Sequence, residues 1–335
     1  MDEGWRGIIV WIFEYGGVIC KRRIVKGVVG MESSKKGALF ALSAYLIWGF
    51  LPIYWKQLEH VSSYEVIAHR VFWSFIFMIV FILATNRMHL FYKDLKFIFR
   101  DKKKVAALFA ASVVITSNWL LYIIAVNSGH ILDASLGYYI NPLISILIGF
   151  AVLGERFSKS QWVAIIIVFL GVAYMTVGLG SAPWISLFLA LSFSIYGLIK
   201  KVVNMDAVFA MAVETFVLAP VALFYILFLE VGGEGHFGFD QDSLVMMGTG
   251  VVTAVPLLLF SIGAQRIRLS LVGILQYFAP TVMLLLGVFM YGEAFTRIHG
   301  VAYILIWGGL GLYTFTRFKE MRRDTGRKPR RRVTH

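Results

Sequence analysis

The stretch Ser135–Glu155, SLGYYINPLISILIGFAVLGE, decides the fold because a second copy follows later in the chain. Adding 138 to each residue number gives residues 273–293, GILQYFAPTVMLLLGVFMYGE, with Pro142 corresponding to Pro280. The same offset continues on both sides, over about 65 residues without a gap. Each copy has about 20 apolar residues, which is the length a helix needs to cross a bilayer. The repeat therefore predicts two membrane-spanning halves built on one plan.

The composition is that of a membrane protein. Of the 335 residues, 59% are hydrophobic and 15% are charged, so a soluble domain would leave too much apolar surface in water. The net charge of +13 would suit a nucleic-acid partner only if the basic residues formed one patch, whereas they lie in short loops and tails. The single cysteine excludes an internal disulfide, and the seven histidines show no metal-binding spacing. We therefore expect a lipid bilayer around the chain, and no nucleic acid, metal or cofactor.

Ten membrane spans are predicted from the apolar segments. Their approximate limits are 36–56, 64–85, 104–126, 132–153, 158–178, 183–202, 207–230, 243–265, 271–291 and 297–317. Of the 32 lysines and arginines, 29 fall in the termini and in every second connection. Short basic loops stay in the cytoplasm, so both termini are predicted to be cytoplasmic, and the loop EVGGEGHFGFDQD (residues 230–242) faces outward. The predicted fold class is thus an all-α polytopic membrane protein.

Ten spans in two repeats give five spans per repeat, and an odd number inverts the second repeat relative to the first. The predicted first repeat covers residues 35–180 and the second covers residues 181–317. Residues 1–34 are expected to be an extension that is disordered or that precedes the true start, with Met31 as an alternative first residue. Residues 318–335 form a basic cytoplasmic tail.

Local patterns support the predicted boundaries. Ser158 and Gln161 have the spacing of a capping box at the start of the fifth span, and Thr296 occupies the equivalent position before the tenth. Glu155 and Glu293 precede these starts, where they would either favour the helix terminus electrostatically or form a gating contact. The glycines of the tenth span, Gly308, Gly309 and Gly311, predict close contact with another helix.

Residues 36 to about 317 resemble the RarD permeases, in the EamA-like branch of the drug/metabolite transporter superfamily. The motifs that carry the resemblance are EVIAHRVFWS (residues 65–74), NWLL (118–121), ASLGYYINPL (134–143), LGERF (153–157), YGLIKK (196–201), ET (214–215), VPLL (255–258), RLS (268–270), QYFAPT (276–281) and YGE (291–293). The resemblance implies a carrier in the bacterial cytoplasmic membrane. RarD members are named for an association with chloramphenicol sensitivity, and the motifs do not fix a substrate.

A solute site is predicted near the two repeated prolines. A proline removes the hydrogen bond to the carbonyl four residues back, so we expect a helix break at Pro142 and at Pro280. Carbonyls left bare at the midplane need protein, water or ligand as partners. The predicted solute-binding side chains cluster around these breaks: Tyr138, Tyr139, Asn141, Gln276 and Tyr277. The alternative is that the prolines only kink their helices and the polar groups join neighbouring helices.

Three further positions are weaker candidates for lining the site. Asn118 and Trp119 lie in the third span and Trp48 in the first, with Tyr196 of the sixth as a possible companion to Trp48. For each of these side chains, packing between helices is the alternative interpretation.

Ionisable residues inside predicted spans each need a partner or water, and those weighed as functional candidates are Glu65, His69, Arg70 and Glu214. Glu65, His69 and Arg70 are near the outer end of the second span, and we expect Glu65 to pair with Arg70. Glu214 is near the inner end of the seventh span, with Lys200 or Lys201 as its expected partner. These residues either anchor the helices or, in the case of Glu214, couple transport to protons through a raised pKa.

The sequence as a whole predicts a secondary carrier that exports small amphipathic or amino-acid-like metabolites. No catalytic cluster indicates an enzyme, and no P-loop indicates ATP hydrolysis. The competing interpretation is a sensor or accessory subunit that has the same fold and transports nothing. The sequence leaves open whether the protein forms a homodimer.

Overall fold

The computed structural model describes residues 29–153, 158–180, 182–203, 205–264, 266–267 and 269–326. Regular secondary structure in these ranges is entirely helical. The helices are α1 (Val29–Lys56), α2 (Ser63–Ala84), α3 (Met88–Ile98), α4 (Lys102–Asn127), α5 (Ile131–Leu153), α6 (Lys159–Leu179), α7 (Trp184–Val203), α8 (Ala207–Gly232), α9 (Gln241–Ala264), α10 (Leu269–Leu275), α11 (Phe278–Leu285), a π-helix (Leu286–Met290) and α12 (Arg297–Gly326). The predicted helical class is confirmed for this part of the chain.

Seven of the described helices are long and apolar enough to cross a membrane. They are α1 from Lys35 onward, α2, α4, α6, α8, α9 and α12 as far as Thr316. Shorter apolar helices cover Trp184–Lys200 and Phe278–Met290. The chain is therefore a multi-pass membrane protein.

Three predicted boundaries shift. Helix α1 begins at Val29, so residues 29–34 of the predicted extension are helical, and α12 continues through residues 318–326 of the predicted tail. Helix α3 was not predicted; it lies within the basic connection after α2 and buries Phe91 and Ile98. Residues 1–28 and 327–335, which include the rest of the extension and tail, lie outside the described residues.

The starts of α6 and α12 confirm the predicted caps. The backbone N–H of Ser158 donates to Gln161 Oε1 at 2.8 Å. At the equivalent position of the second repeat, the N–H of Thr296 donates to His299 Nδ1 at 3.2 Å. In both copies a side chain three residues into the helix accepts the N–H of the capping residue, which satisfies one donor at the helix end.

The described residues divide into two compact units, each of which draws on both predicted repeats. The first unit comprises residues 29–44, 60–116 and 199–267. Its central helix is α2, which contacts both α8 and α9. The contact with α9 is close because Gly250 has no side chain: a Cβ there would lie 2.5 Å from the carbonyl carbon of Trp73.

The second unit comprises residues 45–59, 117–198 and 268–326, with the same gaps as the described ranges. Here α6 contacts α12, and α5 contacts α11. Of the three glycines predicted to pack, only Gly309 does so: a Cβ there would lie 2.5 Å from Val168 Cγ2, whereas Gly308 and Gly311 have no described atom within 4 Å of such a Cβ.

The two copies of the repeated stretch differ in conformation. The first copy is continuous α-helix from Ile131 to Leu153, and Pro142 lies inside it. The second copy forms a turn at Gln276 and Tyr277, where the N–H of Tyr277 donates to the carbonyl of Ile274 at 3.2 Å, then continues as α11 and ends as a π-helix. A break was predicted at both prolines, but the secondary structure is interrupted only before Pro280. The shared proline therefore does not by itself decide whether the helix is interrupted.

Candidate functional site

Aromatic side chains of α4, α5 and α7 meet within the second unit. The ring of Tyr138 lies 5.9 Å from the ring of Tyr122 on α4 and 6.4 Å from that of Phe193 on α7, both edge to face. Tyr196, one turn beyond Phe193, lies 6.0 Å from it. Tyr138 and Tyr196 are half-buried and Phe193 is 37% exposed, so the rings form a partly open aromatic surface. Such a surface can contact an apolar or aromatic solute.

Asn141 lies one turn from Tyr138 and adds a polar group to this surface. Its Oδ1 accepts hydrogen bonds from Ser194 Oγ at 2.7 Å and from Ser145 Oγ at 3.3 Å. The two serine hydroxyls lie 2.9 Å apart, so they hold the amide in one orientation. The Nδ2 of Asn141 donates to no described residue, and the side chain is half-buried. This orientation leaves an amide donor available to a solute.

Asn118 joins α4 to α7 inside the second unit. Its Nδ2 donates to Leu189 O at 3.0 Å and to Ser192 Oγ at 2.8 Å, and the residue is fully buried. Its Oδ1 has no hydrogen-bond partner among the described residues. Because the residue is fully buried, its two hydrogen bonds join α4 to α7 rather than face a solute.

Two predicted solute-binding residues, Tyr139 and Tyr277, contact each other within the second unit. Tyr139 is 2% exposed and its hydroxyl lies 2.6 Å from Thr281 Oγ1. Its ring stacks on Tyr277 at 6.1 Å and meets Tyr303 edge to face at 5.7 Å. Tyr139 and Tyr277 therefore join α5 to the second copy of the repeat. Gln276 is half-buried where that copy breaks.

The remaining aromatic candidates are half-buried. Trp119 follows Asn118 on α4, and Trp48 lies on α1, where its ring meets Tyr45 at 5.5 Å. Pro142 is half-buried next to Asn141, whereas Pro280 is buried, and its carbonyl accepts a hydrogen bond from Ser135 Oγ at 2.8 Å.

The expected partner of Glu214 is confirmed and that of Glu65 is wrong. Lys200 Nζ lies 2.8 Å from Glu214 Oε1, and the carboxylate is 4% exposed. Both oxygens of Glu65 are bound by His236 of the loop between α8 and α9, through its backbone N–H at 2.8 Å and its Nδ1 at 2.9 Å. Arg70 instead donates from Nε to Thr253 Oγ1 at 3.0 Å.

Glu293 has a role that the sequence did not indicate. Its two oxygens accept the N–H groups of Ile131 at 2.7 Å and Leu132 at 2.8 Å, so it caps α5 rather than its own helix. Burial raises the pKa of Glu293, and the two backbone N–H groups partly offset that shift. The corresponding Glu155 lies outside the described residues.

Sequence reasoning missed four residues that complete these sites. Tyr122 is one turn beyond Asn118, and Phe193 and Ser194 lie on α7, which carries no unusual residue at these positions. His236 lies in a loop that was interpreted only as an outer connection. Spacing along α4 could have found Tyr122, but no sequence signal pairs α7 with α5.

Comparison with known proteins extends this description. The profile of the EamA-like transporter family matches residues 35–177 and 181–315. The uncharacterized transporter YojE of Bacillus subtilis is 40% identical over 291 residues, which cover 85% of this chain and 96% of that protein. Protein RarD of Escherichia coli is 40% identical over 296 residues, covering 88% and 99%.

A more distant relative and one solved structure also match this chain over most of its length. The chloramphenicol-sensitive protein RarD of Pseudomonas aeruginosa is 27% identical over 277 residues, which cover 83% of this chain and 93% of that protein. One crystal structure superposes with a TM-score of 0.56 at 17% identity, covering 84% of this chain and 98% of the other. At that identity the likeness concerns the fold alone.

Proposed function

Because the chain belongs to the EamA-like transporter family, we propose that it is a secondary carrier that exports a small organic solute by alternating access. Its location is the bacterial cytoplasmic membrane, with ten spans, both termini in the cytoplasm, and two inverted repeats over residues 35–180 and 181–317. The basic connections support this orientation.

One observation carries the proposal: a single repeated sequence adopts two conformations, continuous in α5 and broken at Gln276 and Tyr277. If the repeats are inverted, a second state exists in which the first copy is interrupted and the second copy is continuous. In that state the solute site opens to the opposite side of the membrane. The residues that would break in the exchanged state are Tyr138 and Tyr139, the equivalents of Gln276 and Tyr277. Tyr138 belongs to the aromatic surface, so the exchange would alter the solute site directly.

The solute class follows from the groups that line the site. Aromatic rings with one amide donor, and with no charge among them, favour solutes that have an aromatic or apolar part and a hydrogen-bonding group. Sugars would lack sufficient apolar contact, and polyanions would lack a cation to bind. Neutral amphipathic compounds and amino-acid-like metabolites fit best.

The test is solute flux in proteoliposomes that contain only this protein. The panel holds chloramphenicol, which the name of one relative mentions, together with an aromatic amino acid and a hexose as the non-binding control. We expect saturable flux of an aromatic compound, no flux of the hexose, and roughly tenfold weaker apparent affinity in Asn141→Ala because one hydrogen bond is lost. Folded protein that moves none of these solutes would instead favour the sensor or accessory-subunit interpretation.

A further inference from the structure

A short loop covers one face of α2 in the first unit. This loop, residues 233–240, connects α8 to α9 and is here called the strap. The face of α2 beneath it presents Glu65, His69 and Trp73, spaced four residues apart and so aligned along one side of the helix. Phe237 of the strap stacks on His69 at 5.0 Å and lies 6.0 Å from the ring of Trp73. The strap therefore closes over a carboxylate, an imidazole and an indole.

Hydrogen bonds to Glu65 hold the strap against α2. The side chain of Glu65 is 2% exposed, and its oxygens accept the backbone N–H and the Nδ1–H of His236, as described above. The His236 side chain is 44% exposed. A buried carboxylate is thus hydrogen-bonded to a partly exposed imidazole, through Nδ1 and not through Nε2. Both hydrogen bonds depend on the negative charge of Glu65, since charge-assisted bonds are the strong ones.

We propose that Glu65 is the proton-binding group of the carrier and that His236 delivers the proton. This rests on the proposed carrier function. A proton from water binds His236 Nε2 to form an imidazolium, and the proton on Nδ1 then passes to Glu65 Oε2. The ring is left neutral and the carboxyl group protonated, so charge and protons balance. Histidine suits this step because one ring nitrogen can accept a proton while the other donates one.

Protonation of Glu65 weakens both hydrogen bonds between Glu65 and His236. A neutral carboxyl group accepts hydrogen bonds more weakly, and the ion pair with the ring is gone. Loss of a proton from the imidazolium alone has a smaller effect, because a neutral ring still donates from Nδ1. Protonation of Glu65 from its own membrane face therefore opens the strap, and loss of that proton closes it. The charge pattern predicts that this face is the outer one, where an exporter driven by protons would take them up.

Other ionisable groups face this pair from each neighbouring element. Asp242, at the start of α9, lies 2.6 Å from His60 Nε2, and the ring of His60 lies 6.4 Å from that of His236. Glu230 at the end of α8 accepts the N–H of Phe237 at 3.0 Å. On α2 itself, His69 and Arg70 follow one turn after Glu65. Asp240 ends the strap and is bound by Ser243, whose hydrogen bonds lower the pKa of Asp240.

Glu214, the coupling residue that the sequence suggested, fits this role less well. Its carboxylate is paired with Lys200 at 2.8 Å, and the side chain of that lysine is 22% exposed. A fixed cation in contact favours the charged carboxylate and opposes protonation. Glu214 is therefore the matched control, as a second buried carboxylate in the same unit with a permanent rather than a titratable partner.

The experiment measures proton binding without any solute. Proteoliposomes on a solid-supported membrane receive a rapid step from about pH 8 to about pH 5, and the transient current reports protons that bind within the membrane. We expect a transient in the wild type and in Glu214→Gln, and none in Glu65→Gln. We expect His236→Asn, which keeps a donor near the Nδ1 position but does not titrate, to slow the transient. The same change at the neighbouring histidine, His60→Asn, should leave its rate unchanged.

Hydrogen–deuterium exchange of the strap supplies the second measurement. After correction for intrinsic rates, residues 233–240 should exchange roughly tenfold faster at the lower pH in the wild type, and equally fast at both pH values in Glu65→Gln. A transient that persists in Glu65→Gln, or disappears in Glu214→Gln, would overturn the proposal. Hydrogen–deuterium exchange of residues 233–240 that does not change with pH in the wild type would also overturn the proposal. His236→Asn tests the same step at a half-exposed position should Glu65→Gln not fold. A transient without solute flux would count against the carrier and leave the proton site standing.

Discussion

Tyr138 and Tyr139 are adjacent in sequence and have opposite surroundings. Tyr138 is half-buried among aromatic rings on a partly open surface, whereas Tyr139 is 2% exposed in the core of the second unit. The sequence placed both at the solute site because both are polar aromatics near a proline. Periodicity alone cannot separate neighbours on a helix whose faces are all apolar, since the direction of the core depends on which helices pack around it.

These two tyrosines give a matched pair of variants. Tyr138→Leu is expected to reduce solute flux roughly tenfold with little change in stability, because it removes ring contacts from an open surface. Tyr139→Phe is expected to leave flux near the wild-type level and to lower the free energy of unfolding by about 1 kcal/mol, through loss of the bond to Thr281. Flux and thermal unfolding of the purified variants check both. The reverse pattern would place the site at Tyr139.

Glu293 predicts a pH effect at a single residue. Burial raises the pKa of its carboxyl group in the folded protein, so folding favours the protonated form, and the wild type loses stability as pH rises through that pKa. Glu293→Gln keeps an acceptor for the N–H groups of α5 and cannot ionise. We expect the variant to match the wild type near pH 4 and to melt at a higher temperature near pH 8. A variant that is less stable than the wild type at pH 8 would mean that the two N–H bonds outweigh burial.

At the scale of elements, close helix contacts rest on particular glycines. Gly250 lets α9 touch the backbone of α2 at Trp73, whereas Gly311 of α12 has open space around it. Gly250→Ala is expected to lower the free energy of unfolding by about 1–3 kcal/mol, because backbone atoms cannot move aside as a side chain can. Gly311→Ala should instead stabilise α12 by about 0.5–1 kcal/mol through helix propensity. Chemical unfolding of the two variants in the same detergent makes the comparison. Equal effects would show that the contact between α2 and α9 is looser than described.

The helical elements were largely predictable and their interruptions were not. Apolar length located the long spans, and the repeat offset located the equivalent starts of α6 and α12. The break at Gln276 was predicted equally for Tyr138, because both precede a proline by four residues. Both copies have the proline at the same position, so the proline alone does not explain the difference, and the carbonyl of Pro280 has a tertiary partner in Ser135 Oγ that the sequence does not show. Helix α3 was missed because a basic connection was interpreted only as a loop.

At the scale of the whole molecule, the proposed function depends on the inverted orientation of the two repeats. The composition and the internal repeat predicted a multi-pass helical membrane protein, and the helices and the family profile agree. The contact of Glu65 with His236 of the strap could not be predicted from the sequence, because His236 lies 171 residues away in a loop without a recognisable pattern. Contacts between distant segments follow from tertiary structure, which periodicity does not encode.

Membrane sidedness of two equivalent residues tests the inversion most directly. Lys159 and Arg297 differ by the repeat offset, and both are exposed at the start of a helix. Each is replaced singly by cysteine in a Cys20→Ser background, which lacks the only native cysteine, and intact cells are treated with a membrane-impermeant maleimide. We expect labelling of Arg297→Cys in intact cells and of Lys159→Cys only after permeabilisation. Labelling of both variants from the same side would contradict the inverted repeat and the carrier built on it.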